Sequence, residues 1–136
     1  MVFIRKYRIS ILAVFLLIIL SFFKPPSIEP STSLLPLDKI VHFLMYFGVA
    51  GVMWFDYLRG NENKIKKGYG VALLFPIVLG GAIELVQEYA TSYRGGEWGD
   101  FLANSLGAVC ALFLARYVLM PFLSKYKRLF FRKKQQ

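Results

Sequence analysis

The sequence predicts an all-α fold, a membrane bundle of four transmembrane helices with both termini on the cytoplasmic side. Three observations carry that expectation. Hydrophobic residues make up 57% of the 136, and the mean hydropathy is +0.51. The charged residues collect between apolar runs, as in membrane proteins, rather than alternating with apolar residues as on a soluble basic domain. Finally, with four spans and an inside N-terminus, 14 of the 17 Lys and Arg residues fall on the inner side, leaving Lys24, Lys39 and Arg94 outside. The net charge of +9 is therefore read as topology. It implies no nucleic-acid partner, because the cations are terminal or interhelical and form no groove. The length allows one domain, residues 1–136, with spans at about 7–23, 39–58, 69–89 and 101–122 and a basic tail at 123–136.

The first span is the apolar run Ile9 to Phe23, interrupted only by Ser21 and preceded by Arg5, Lys6 and Arg8. That order resembles a signal sequence, but Phe22, Phe23, Lys24, Pro25 and Pro26 offer no small-x-small cleavage site, so the reading keeps it as an uncleaved span. Its 15 residues reach only about 23 Å against a hydrocarbon core of roughly 30 Å, so Lys6, Tyr7 and Arg8 must snorkel. Lys24 to Leu37 carries four of the six prolines and reads as an irregular connection. Asp38 is an expected N-cap for the second span, and Gly48 and Gly51 should thin that helix. Leu58 to Gly68 is a polar turn. In the third span Pro76 should produce a kink, and Gly80 and Gly81 should allow close contact just before Glu84. On the fourth span Ala103, Gly107, Ala111 and Ala115 recur every four residues, a small stripe against which another helix can pack closely. Trp54, Tyr57, Tyr89 and Trp98 fit interfacial belts, and Asp56 with Arg59 reads as a helix-end pair. The lone Cys110 excludes an intrachain disulfide.

The stretch Glu84 to Gly107, ELVQEYATSYRGGEWGDFLANSLG, interrupts this apolar material with groups that are costly in a bilayer. Glu84, Gln87 and Glu88 end the third span, Arg94 lies in the following turn, and Asp100 and Asn104 open the fourth. The topology brings Asp38, Lys39 and His42, at the start of the second span, to the same outer face. Asp38, His42 and Tyr46 are four residues apart and share one helix face, as do Asp100 and Asn104. Asp38 and Asp100 are equally readable as caps, and Asn104 and His42 as interhelical hydrogen-bonding residues. Glu84 points most sharply to function, because structural glue needs no ionisable group.

DKIVHFLMY from Asp38 to Tyr46, the pair Glu84 and Gln87 as E-x-x-Q, and Arg94 followed by Asp100, Asn104 and Gly107 together resemble the VanZ-like family of small bacterial membrane proteins. The resemblance covers about residues 36–115 and rests on three separated motifs. It marks Asp38, Lys39, His42, Tyr46, Glu84, Gln87, Arg94, Asp100, Asn104 and Gly107 as family-characteristic, whereas the turn Gly95 to Gly99 and the basic tail lie outside the motif. It implies a multi-pass protein of the bacterial cytoplasmic membrane with a cell-envelope role. In the namesake that role is low-level teicoplanin resistance, and no reaction transfers with it.

Three functions follow from the residues. The first is a binding or accessory protein whose outer pocket recognises an envelope lipid, glycan or peptide group, with Lys39, Tyr46, Gln87, Arg94, Asp100 and Asn104 as ligand-binding candidates. The second is an intramembrane enzyme with His42 as acid or base, oriented by Asp38 or Asp100, and Glu84 as a second carboxylate. The third is proton or ion movement, which four spans and an apolar inner half do not favour. His42 with two carboxylates could alternatively hold a divalent metal, but one His and no Cys pair make a poor metal pattern, so the reading assigns no metal and no cofactor. Lipid-phosphatase and rhomboid signatures, a Ser nucleophile elbow, a Walker loop and a dinucleotide fingerprint are absent. Besides the bilayer, anionic lipid is the expected partner of the basic aromatic tail.

Overall fold

A computed structural model of the chain describes residues 6–22, 37–61, 65–90 and 97–126, and these form four helices with no strands among the described residues. α1 spans Arg8–Phe22, α2 Leu37–Gly60, α3 Ile65–Ala90 and α4 Trp98–Tyr126. α2, α3 and α4 are long and apolar enough to cross a membrane, whereas α1, with 15 residues, is a shorter apolar helix. The connection before Leu37, Arg94 with its turn, and the tail beyond Tyr126 lie outside the described residues.

The bundle is built inside out relative to a water-soluble protein. On α1 the buried side chains are Ser10, Leu17 and Ser21, while Ile11, Leu12, Phe15, Leu16, Ile19 and Leu20 are exposed. An apolar exterior and a partly polar interior suit a hydrocarbon solvent. α2 is the central element and meets all the others, most extensively α4.

The α2–α4 contact follows from the small stripe expected on α4. Ala103, Gly107, Ala111 and Ala115 are all buried. A Cβ built on Gly107 would lie 2.4 Å from the Phe43 carbonyl oxygen, so the two backbones touch there. Gly80 and Gly81 also behave as expected, packing on the Tyr46 and Phe101 rings. Gly48 and Gly51 thin α2, and among the described residues a Cβ at the first would meet nothing within 4 Å and one at the second only Leu114, at 3.9 Å. Their missing side chains bring no helix closer.

The prolines of α3 and α4 are accommodated in the same way. Tyr69–Leu74 and Ala115–Leu119 are π-helical, and Phe75 and Met120 donate their N–H groups five residues back, to the Gly70 and Ala115 carbonyls. Pro76 and Pro121 follow directly. A proline ring clashes with the carbonyl four residues earlier, and a wider turn relieves that clash, so the disturbance expected at Pro76 takes the form of a π turn.

Trp54 and Tyr57 are core residues instead of belt residues, at 0% and 7% exposure. The Trp54 indole packs edge-on against both Tyr57 and Tyr69, and Gly68 leaves the room: a Cβ there would lie 2.6 Å from the indole. Tyr89 and Trp98, in contrast, are more than four-fifths exposed. Asp56 is fully buried. It sits 3.8 Å from Arg59, as a helix-end pair would, but it also accepts the Ser10 N–H at 3.0 Å and the Ser10 hydroxyl at 2.9 Å. It therefore satisfies an otherwise open donor in the first turn of α1 and ties that helix to α2.

Candidate functional site

The polar residues of three helices meet where α2 and α4 begin and α3 ends. Asp38 and Asp100 occupy the first turns of α2 and α4, not the cap positions expected, because those helices start at Leu37 and Trp98. Carboxylates there are favoured by the positive helix end. The residue flanking α4 is Glu97, whose backbone N–H donates to Glu84 Oε2 at 3.3 Å. Glu84, on α3, thereby holds the start of α4.

The other Glu84 oxygen, Oε1, accepts from Asn104 Nδ2 at 3.2 Å, and Asn104 Oδ1 lies 3.1 Å from His42 Nδ1. An ionised carboxylate only accepts, so it turns the amide NH2 towards itself and leaves the amide carbonyl facing His42. His42 Nδ1 thus donates to the Asn104 carbonyl oxygen. The ring's Nε2 lies 3.8 Å from both Asp38 Oδ1 and Asp100 Oδ2, and the three atoms are the one group among the described residues spaced to hold a metal ion. His42, Glu84, Asp100 and Asn104 are each at most 7% exposed, while the Asp38 side chain is 59% exposed and opens the cluster to its surroundings.

Lys39 closes the cluster from the other side, its Nζ lying 2.8 Å from Glu97 Oε2 and 3.0 Å from Asp100 Oδ1. The pairing with Asp100 matters more, since Asp100 is buried and Glu97 is largely exposed and screened. The lysine reaches both by crossing Gly99, where a Cβ would stand 2.6 Å from its Cε. Gly99 falls in the turn that seemed uninformative in the sequence; its signal was its position directly before Asp100.

Beside Glu84 a cavity of about 480 Å³ opens between α3 and α4. Its walls include Glu84, Glu88 and Glu97 together with Tyr89, Trp98 and Phe101, the last two packed edge to face. Its size falls within the range of ordinary small-ligand pockets. Trp98 and Phe101 were not singled out as ligand residues from sequence, because each is unremarkable in its own run.

Of the residues proposed from sequence, Asp38, Lys39, His42, Glu84, Asp100 and Asn104 come together. Tyr46 lies further along α2, 1% exposed against Gly80, and its hydroxyl has no hydrogen-bond partner among the described residues. Gln87 turns to another helix: its Nε2 donates to the Ser21 carbonyl of α1 at 2.8 Å. Arg94 lies outside the described residues.

A family model described as VanZ/LLP1 matches residues 5–123. No curated protein and no solved structure matches the chain. The family match takes in α1 as well as the polar cluster, and so extends well beyond the motif residues.

Proposed function

The chain belongs to the VanZ/LLP1 family, and from that premise we propose that it is a multi-pass protein of the bacterial cytoplasmic membrane that recognises an envelope lipid, glycan or peptide head group at its outer face. In this reading α1 is a fourth span and both termini are cytoplasmic, because that arrangement leaves few cations outside. The basic tail rests on anionic lipid of the inner leaflet. The glycopeptide-resistance role implied by the family resemblance is a consequence of such envelope recognition.

The observation that carries the reading is the shared wall of Glu84, Glu88 and Glu97 with Tyr89, Trp98 and Phe101 around one cavity. Carboxylates accept from hydroxyl and ammonium groups, and aromatic faces cover apolar sugar faces or cations, so the ligand class is hydroxyl-rich or amine-bearing. The Glu84 carboxylate is already oriented by Asn104 and by the Glu97 backbone, so little is lost in ordering it on binding.

A second reading is supported by His42, whose Nε2 lies 3.8 Å from both Asp38 Oδ1 and Asp100 Oδ2 at the open side of the cluster. There it is placed to act as general base on an envelope lipid or glycan, with Glu84 as the second acid–base group. Reconstitution of Glu84→Gln, His42→Asn and Asp100→Asn variants with bacterial envelope lipid extract separates the readings. Loss of ligand affinity supports recognition. Loss of turnover at unchanged affinity and thermal stability supports the enzyme, and a collapse of stability in all three variants reduces the cluster to structural glue.

A further inference from the structure

We propose that the cavity between the starts of α1 and α3 binds one anionic phospholipid, taking an acyl chain between the helices and meeting the phosphate with the cations around its mouth. α1 and α3 touch near their ends, where Gln87 Nε2 donates to the Ser21 carbonyl at 2.8 Å. Towards their starts they part, and a cavity of about 450 Å³ opens beside Met53 of α2. Ile11 and Val14 line it from α1, and Gly70, Val71 and Phe75 from α3. Gly70 keeps it open, since a Cβ built there would meet nothing within 4 Å. The π turn Tyr69–Leu74 supplies this part of the α3 wall.

The walls select hydrocarbon. Apart from Tyr7 and Ser10 the lining is apolar, and the Ser10 hydroxyl is already committed to Asp56 Oδ2 at 2.9 Å. A cavity with so little to hold water takes an apolar occupant. From Tyr7 to Val14 the lining runs about 10 Å along the axis of α1, within the roughly 15 Å of one leaflet's hydrocarbon. A chain from the leaflet that borders these helix starts therefore fits it lengthwise.

The mouth selects an anion. The Lys6 ammonium stands 5.3 Å over the ring of Tyr7, at the edge of the cavity, and the exposed Arg8 follows. Lys66 and Lys67, also exposed, lie one turn before Gly70 and Val71. The sequence up to Phe22 holds no acidic residue, and Met53 to Phe75 holds two, Asp56 and Glu62. Asp56 is fully buried on Ser10. The balance at this end of the bundle is positive, and basic pockets between transmembrane helices are where anionic lipid head groups bind. A second copy of the chain suits the groove less well, because a neighbour in the same orientation would bring its own Lys and Arg to the same level.

The site lies at the opposite end of the bundle from the polar cluster and does not rest on the recognition reading. A lipid held by one chain and a few cations exchanges with the bilayer, so the experiment returns it to the delipidated full chain in detergent. Tm is followed as phosphatidylglycerol or phosphatidylcholine with the same acyl chains is added. Phosphatidylglycerol should raise the wild-type Tm with a half-saturating concentration at least ~10-fold below that of phosphatidylcholine, at about 5-fold per cation engaged. Combining Lys66→Gln with Lys67→Gln should remove most of that preference. Gly70→Leu fills the cavity and should abolish the shift, whereas Gly48→Leu, at an equally open glycine on α2 away from the cavity, should keep it. The head-group preference of wild type and of the lysine variant decides the proposal even where Gly70→Leu folds poorly. Equal half-saturating concentrations for the two lipids in wild type, or a shift retained in folded Gly70→Leu, would overturn it. So would a wild-type dimer on size exclusion that Gly70→Leu dissociates, which would assign the groove to a second copy. No variant here alters Glu84 or its cavity, so those results would leave the recognition reading standing.

Discussion

Asn104 Nδ2 donates to Glu84 Oε1 at 3.2 Å, and this bond between α4 and α3 sets the direction of the amide and turns its carbonyl oxygen to His42 Nδ1 on α2. Three helices are thus coupled through a single buried side chain. Asn104→Leu should destabilise the purified protein by about 1–3 kcal/mol for each buried group left unsatisfied, read as a lowered Tm in detergent. Asn104→Asp should also lower Tm at neutral pH, because it sets a second carboxylate against Glu84. That loss should shrink as pH falls and one proton comes to be shared between them.

The glycines of α2 and α4 predict opposite outcomes. Gly107→Val places a side chain into the Phe43 carbonyl and should abolish the folded protein, since backbone cannot give way as a flexible side chain can. Gly48→Ala meets nothing within 4 Å and should be neutral or stabilise by about 0.5–1 kcal/mol, the usual gain for alanine over glycine in a helix. Yield and elution of a fluorescent fusion on size exclusion would separate the two.

These glycines also show what was legible in the sequence. The four-residue stripe on α4 and the four-residue step from Asp38 to His42 could be read because helical period alone decides which residues share a face. Which partner each face meets could not. Gln87 has the same apolar neighbourhood as Glu84 but bonds α1, and Trp54 is buried only because Gly68, on another helix, makes room for it. Asp56 was hidden by its plausible local pairing with Arg59, since nothing local indicates that Ser10 needs an acceptor. The π turns were missed because proline announces a disturbance without specifying its form.

The Asp56–Ser10 bonds carry a prediction for α1. Ser10→Ala should cost about 1 kcal/mol, and Asp56→Leu should release the start of α1 altogether. Hydrogen exchange of the full chain in detergent should then speed up in the first turns of α1 and leave α4 protected. Uniform acceleration across all helices would show that Asp56 supports the whole bundle.

The proposed orientation is testable with single cysteines on a Cys110→Ala background. Trp98 and Tyr126 lie at opposite ends of α4 and are both exposed, at 83% and 62%. In intact cells a membrane-impermeant thiol reagent should label cysteine at 98 and leave cysteine at 126 unlabelled until the membrane is opened. The reverse pattern would put the polar cluster on the cytoplasmic side.

Native mass spectrometry of the chain purified gently from its own membrane tests the recognition claim most directly. Wild type should carry a discrete envelope lipid or glycan mass that is lost in Glu84→Gln and in Trp98→Ala, while Val78→Ala, on the exposed apolar face of α3, retains it. A discrete mass kept equally by all four proteins, or none in wild type across several mild detergents, would contradict the claim that this cluster and its cavity exist to bind an envelope group.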